Sequence, residues 1–527
     1  MQKQELSELF ELDCANFGFS QDLLNSCDCV ILNALNDNIS QEVIDVYRKF
    51  QPMKPDAPDS MKMKLFSTIR SFAQEQSTKK HFLDALVLYR FLIVKSEIPA
   101  QDYFSVAEIF ENILQYKLAD EFLTIYSRKE QNKPLLCLTL GNFYNLTRKD
   151  YKTAIKYYEK YLEIDETKSV IYTIVSNLYS KTFGDESLEQ QINYLEKAYK
   201  LKPHDRTILH GLAFNHEKFG NKECAKYFYQ ELLKNNPTDN DYYNYGAFLI
   251  SSGDFLEGHN YFRARSTNID LPNKWDLESD ISEKTLLIHY EEGFGDTIMY
   301  CRFVPFMKNF AKKIIFVVQE ELLDLIKNSS EVSKGIEVRA DVPEYDYYMR
   351  LLDTPYVLKT TVDTLPFLDK YLNVNAKYIE SAGQNLKVGI AYHGDNCANY
   401  HGRDLDLAKF NILTGIDGVD FYSLQYGEDS QNPKIIPLGK TFKNFIDTAS
   451  AVKSMDLVIT TDNVILNLAG ALGVKTIGLF NKQTNYRWFK LDGNDVGWYN
   501  SVKPLQVDVQ DDWNPVFQRI ISELKQA

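Results

Sequence analysis

Small residues return every 33 positions late in the first half of this chain, which confines that half to a stack of repeated units. Ala213, Gly220, Ala225 and Tyr229 are followed 33 positions later by Gly246, Gly253, Gly258 and Phe262. Ala107 and Ala119 repeat the twelve-residue offset that separates Ala213 from Ala225. Further copies run as GNFYNLTRKDYKTAIKYYEKYLEID from Gly141, and as NYLEKAYKLKP ending at Pro203, 34 residues before Pro237. Self-similarity of this size belongs to supersecondary units that bury their apolar faces only by stacking.

The spacing resembles the tetratricopeptide repeat, in which small residues let two helices approach and a proline closes each unit. The resemblance is strong from Pro134 to about Asp270 and weaker over 80–130. It implies a helical solenoid over 80–270, preceded by a helical segment over 1–79. Aromatic clusters such as KYYEKY and KYFYQELL have two readings. Most rings supply the apolar seam between repeats, and a minority line a groove for a peptide partner.

The chain has 527 residues, too many for one core, so two to four domains are expected. A formal charge of -14 with an isoelectric point near 5.2 argues against nucleic acid or an anionic membrane as general partners. An anionic substrate must then be held by individually placed groups. The 7 cysteines are scattered without metal-type pairing. Dispersed thiols and the lack of an apolar signal core lead us to expect a cytoplasmic chain with no membrane span.

Around 271–284, LPNKWDLESDISEK, helical periodicity stops, and a linker is expected. TLLIHY then reads as a strand, followed by EEGFGDTIMYCRFVPFMKNF. Here Glu292, Gly293, Gly295 and Asp296 form a strand-to-helix turn, and Pro305 should kink the helix that follows. Asp296 either caps that helix or sets a carboxylate at the mouth of an open sheet, where ligands of doubly wound folds bind. The third glycine of a dinucleotide fingerprint is missing, which argues against a nicotinamide oxidoreductase. KIIFVV, GIEVRA and YDYYMRLL continue the alternation, so 285–380 is expected to be a Rossmann-like domain.

A second such domain is expected over 387–513, closed by an amphipathic helix over 514–527. KVGIAY begins it and runs into a polar loop with Gly394, Asp395, His401 and Arg403. FYSLQYG is a further strand, ending in Gln425 and Gly427. The stretch SMDLVITTDNVILNLAGALGVKTIGLF, Met455 to Phe480, contains a whole strand-turn-helix-strand unit. Asp462 is placed to cap the helix, leaving the amides of Asn463, Val464 and Ile465 as donors that attract phosphate; an ordinary cap is the alternative. Gly470 and Gly473 permit close packing and a helix stop. Arg403 suits phosphate oxygens or, alternatively, an ion pair with Asp404 or Asp406. His393 and His401 lack partners at ligand spacing, so no metal is expected. Arg487, Trp488, Trp498 and Tyr499 either support a cleft or touch a ligand.

From FLEGHNYFRAR onward, the ordered series LLIHYEEGFGDTIMYCRFVPF, KVGIAYHGD, FYSLQYG and NFIDTASAVKSMDLVITTDNVILNLAGALGVKTIGLF resembles heptosyltransferase-like, inverting glycosyltransferases of the GT-B type. The resemblance implies two Rossmann-like domains, with a nucleotide-sugar donor on the second and no metal or other cofactor. It maps the family's catalytic aspartate onto Asp296 and a donor site onto Asp462, Asn463, Val464, Ile465, Arg403, Gly394 and Gln425. Glu292, Gly293, Gly295 and Arg487 fall on the acceptor side or in the cleft. The repeats would recruit a protein or cell-surface glycan acceptor. The sequence departs from the family at Asn463 and Asn467, where threonine and histidine are usual, and at His393 and Asp395. An inactive scaffold acting as an interaction module is therefore the alternative expectation.

Overall fold

The computed structural model describes residues 7, 10, 21–33, 39–50, 58–95, 98–375, 378–379, 385–394, 404–429, 432–491, 493–509 and 511–525. The chain divides into two units, Met1–Gly184 and Asp185–Ala527. Five helices with repeat character, Leu188–Leu201 to Phe255–Phe262, belong to the unit that also contains the parallel sheets.

In the first unit, consecutive helices pack as pairs, Ala100–Asn112 with Tyr116–Lys129 and Lys133–Asn142 with Tyr151–Ile164. Ala107 and Ala119 are fully buried, as close helix approach requires. At Gly141 a Cβ would come within 2.9 Å of the Tyr158 ring, so only glycine fits. The helix Phe82–Lys95 is buried from Asp84 to Val94 and forms the centre of the amino-terminal part. Its Arg90 donates to Asp28 (Nη2 to Oδ2, 2.8 Å) and to the Tyr47 hydroxyl (2.5 Å), and lies 3.8 Å above the Phe10 ring. The cluster around this helix includes Ile44, Tyr47, Ile69 and Ala73 as well as Phe104 and Phe110.

In the second unit the repeat pattern has a direct physical cause. Gly220 and Gly253 both close helices in the left-handed region, at φ 87° and 88°. A Cβ on Gly246 would come within 2.8 Å of the Gly258 carbonyl, so the two helices touch backbone to backbone.

Two parallel sheets follow. The first has order β3-β2-β1-β4, with β1 Ile281–His289, β2 Ala311–Val317, β3 Glu337–Arg339 and β4 Tyr347–Arg350. The second has order β10-β9-β8-β5-β6-β7: β5 Leu386–Ala391, β6 Val419–Ser423, β7 Ile435–Pro437, β8 Leu457–Thr461, β9 Thr476–Phe480 and β10 Val502–Gln506. All its ladders are parallel. In each sheet the first strand is flanked on both sides by later ones, so the chain reverses direction between β1 and β4 and between β5 and β8. Ligands of such folds bind beyond the strands' carboxyl ends at these points.

The segment 271–284 is built into the fold rather than serving as a free linker. Trp275 is buried, its amide bonds the Tyr348 carbonyl (2.8 Å), and β1 begins at Ile281. One apolar core runs from Ile250, Phe255 and Phe262 through Leu286 and Ile288 to Leu466, Trp498 and Tyr499. Phe255 lies 4.7 Å from the Phe489 ring and Phe262 5.0 Å from the Tyr486 ring, between centroids. The last repeat helix is therefore part of the α/β core.

Candidate functional site

The turn after β1 starts the helix Phe294–Tyr300, which continues as a 3-10 helix over Cys301–Asn309 with Pro305 inside it. The kink expected at Pro305 takes the form of this change in helix type. Gly293 is the N-cap, with no side-chain cap, so Asp296 stands three positions inside and does not cap. Its carboxylate meets Arg487, with Oδ1 2.5 Å from Nη2, and the two side chains are 13% and 17% exposed. Glu292 sits at the rim of this pair. Burial, then the Asp296 charge, pushes its carboxyl up, with Arg487 acting against them. Tyr243, from the helix Asp239–Ser251, borders the same group, and its phenol responds to Arg487 and Glu292 after the upward push of burial.

At the turn after β8 the cap is displaced by one residue from expectation. β8 extends through Thr461, and Asn463 rather than Asp462 caps the helix Val464–Leu472. Its Oδ1 accepts from the amides of Ile465 (2.8 Å) and Leu466 (3.4 Å) and from the Thr460 hydroxyl (3.1 Å). Its Nδ2 donates to the His393 carbonyl (3.4 Å) and to Thr461 (3.2 Å). The Ile465 amide, expected as a free donor, is thus engaged by the cap. Gly473 closes the helix in the left-handed region at φ 71°, and a Cβ on Gly470 would overlap the Tyr499 ring. Both glycines act as expected.

Beside this turn, Gln425 holds the loop after β5. Its Oε1 accepts from the amides of Tyr392 (3.3 Å) and His393 (3.4 Å), and its Nε2 donates to the His393 carbonyl (3.3 Å). Gly394 donates its amide to Asp404 (3.0 Å). Glu428, absent from the expected set, receives the Tyr392 hydroxyl and lies against His393 Nε2, each at 2.6 Å. Against the upward push of burial, these two hydrogen bonds hold its carboxyl below the usual range. The expected residues Asp462, Asn463, Val464, Ile465, Gly394 and Gln425 therefore gather at the reversal between β5 and β8. Arg403, His401 and Asp395 lie outside the described residues.

The two turns touch. A Cβ on Gly295 would lie 3.0 Å from Asn467 Nδ2 and 3.9 Å from the Val464 Cα. Asn467 is buried and spans this contact, its Oδ1 accepting from the Tyr499 hydroxyl at 2.9 Å. Trp488, Trp498 and Tyr499 are buried and support the region from below.

At the other reversal, between β1 and β4, sequence reasoning missed a buried charge network. Arg265, just past the last repeat helix, pairs with Glu291 (Nη2 to Oε1, 2.5 Å) and Asp353 (Nη1 to Oδ1, 2.7 Å). Arg350 binds Asp353 in turn (Nε to Oδ2, 2.9 Å), and Glu291 also accepts the Leu352 amide at 2.9 Å. Its members fall in separate quoted stretches, Arg265 in FRAR, Glu291 in LLIHYEEGFGD and Arg350 in YDYYMRLL, and each charge by itself reads as surface.

Among the described residues no cluster of His, Cys, Asp and Glu suits a metal ion, and no helix is long and apolar enough to cross a membrane. No family model matches the chain. A curated relative, protein FlbA of Caulobacter vibrioides, is 20% identical over 385 residues, which cover 63% of this chain and 64% of that protein. The match thus spans less than two thirds of that relative's length. Among solved structures, the C-terminal part of a TPR repeat-containing protein from Cytophaga hutchinsonii is 14% identical. It covers 46% of this chain and 93% of its own, with a TM-score of 0.34. YrrB, described as a TPR protein with an unusual peptide-binding site, is 16% identical over 32% of this chain and 85% of its own, with a TM-score of 0.26. A MamA double mutant is 18% identical over 32% of this chain and 93% of its own, with a TM-score of 0.27.

Proposed function

We propose that the two sheet domains pair in the GT-B manner and transfer a sugar from a nucleotide-sugar donor, without a metal and with inversion, to a protein or glycan acceptor recruited by the repeats. The contact of the Gly295 turn with the start of the Val464–Leu472 helix carries this reading. It sets Asp296 of the first turn beside the polar carboxyl edge of the second sheet. Asp296 takes the proton from the acceptor hydroxyl as that oxygen attacks the anomeric carbon. The bond from that carbon to the diphosphate breaks, and the diphosphate leaves with the electron pair. Gly394, Gln425 and the Asn463 turn line the donor side, and Glu292, Gly293 and Gly295 the acceptor side.

A screen of nucleotide sugars for hydrolysis and transfer tests the proposal. Turnover is expected with at least one donor, reduced about 10²-fold or more in Asp296→Asn. No turnover with any donor would overturn it. A second reading, an inactive scaffold that binds partners through its repeats, is favoured by the self-capped Asn463 turn and the Asp296–Arg487 pair. It predicts peptide binding by the full chain and no nucleotide binding.

A further inference from the structure

The Asp296–Arg487 pair is a curious way to hold a general base. Arg487 comes from the loop after β9, and Asp296 from the turn after β1. The guanidinium occupies one oxygen of the Asp296 carboxylate at 2.5 Å, so an acceptor hydroxyl meets that oxygen already engaged. The Arg487 backbone is pinned: its carbonyl accepts from Trp498 Nε1 at 2.7 Å and its amide donates to Asn485 Oδ1 at 3.1 Å. Its side chain lies beside the Tyr486 ring, 5.0 Å from the centroid, and Tyr486 is anchored on Phe262. The main chain is fixed while the side chain as a whole is 17% exposed, with its Nε buried.

The neighbourhood also has hydrogen-bonding capacity that the resting arrangement leaves unused. Tyr300 lies four residues after Asp296, on the same helix face. Its hydroxyl is fully buried with no hydrogen-bond partner among the described residues. A buried orphan hydroxyl costs stability, and a second arrangement of this corner would employ it.

We propose that Arg487 is the diphosphate-binding arginine of this site and that Asp296 holds it in reserve. The proposal rests on the transferase reading. A nucleoside diphosphate group offers the guanidinium a doubly forked anionic partner, competes with the single carboxylate, and draws Arg487 across. Asp296 is then released as a base only once the donor is seated. Donor binding precedes acceptor binding, and the free protein does not carry an unpaired base. In the reacting complex the acceptor proton passes to Asp296, the new bond forms at the anomeric carbon, and Arg487 neutralises the departing diphosphate.

Calorimetry of the full chain with the diphosphates of adenosine, cytidine, guanosine, thymidine and uridine tests this through a double-mutant cycle. For the diphosphate that binds, Asp296→Asn should tighten affinity about tenfold by freeing Arg487, and Arg487→Ala should weaken it about tenfold or more. In the Arg487→Ala background, Asp296→Asn should have no further effect. Arg487→Lys, which keeps the charge and the fold but not the fork, should fall between the wild type and the alanine variant. Equal tightening by Asp296→Asn in both backgrounds, or in neither, overturns the competition and leaves the transferase reading standing. Failure of every diphosphate to bind the wild type and Asp296→Asn overturns both.

Discussion

The two parallel sheets reverse at comparable places and finish those places differently. Between β1 and β4 the carboxyl ends are occupied by the chain itself, where Arg265 from the end of the repeats fills the crevice against Glu291 and Asp353. Between β5 and β8 the corresponding edge carries backbone turns, a self-capping Asn463, and a His393–Glu428 pair with side chains 34% and 41% exposed. One reversal has been spent on joining the repeats to the sheet. The other keeps polar groups within reach of solvent, and the Gly295 turn brings Asp296 to its side. The comparison is the reason the proposed site takes its ligand edge from the second sheet and its carboxylate from the first.

The largest effect should come from the filled reversal. Arg265→Met removes one partner of a buried network and leaves Glu291 and Asp353 underpaired, so unfolding free energy measured in urea should fall by about 3–5 kcal/mol. A loss under about 1 kcal/mol would mean that Arg265 does not hold the repeats to the sheet. At the open reversal, Asn463→Ala should cost about 1–2 kcal/mol, because the amides of Ile465 and Leu466 lose their acceptor, whereas Asn463→Asp keeps it and should nearly preserve stability.

Two pH experiments separate the regions further. His259, on the repeat helix that packs into the α/β core, is buried, and burial depresses its pKa to about 3. A depressed folded value means that the unfolded chain binds the proton first. The contribution is therefore full above about pH 6.5 and declines as pH falls toward the folded value. Between pH 7 and 5.5 the loss should be about 1 kcal/mol, and His259→Leu should flatten it. The smallest effect belongs to Glu428. Its carboxyl is lowered by Tyr392 and His393, so its contribution is present above the unfolded carboxyl range and is lost as pH falls through the folded value. Glu428→Gln should flatten only the acid limb of a stability profile, and by less than His259→Leu flattens the profile above it.

Much of this architecture was legible in the sequence because it depends on local rules. The returning glycines and alanines mark helix contacts that permit no larger side chain, as Gly246 against Gly258 demonstrates. The runs that read as buried strands at 456–460 and 476–480 are parallel strands at 457–461 and 476–480. β10 escaped because Pro504 argues against a strand, and it is tolerated there because β10 is the sheet's edge. β7 is three residues long and shows no alternation. The cap was misplaced by one residue because Asp462 and Asn463 are equally good caps, and only the length of β8 decides between them. Contacts distant in sequence were not legible at all: Arg265 with Asp353, Asp296 with Arg487, and Tyr499 with Asn467 pair residues that no spacing rule connects.

The central claim is that the turn after β1 and the turn after β8 form one ligand site. Hydrogen exchange of residues 291–297 and 461–468, measured with and without the bound nucleoside diphosphate, tests it most directly. The account predicts that both segments gain protection together and that 350–353, behind Arg265, does not change. Protection of one turn without the other would contradict it.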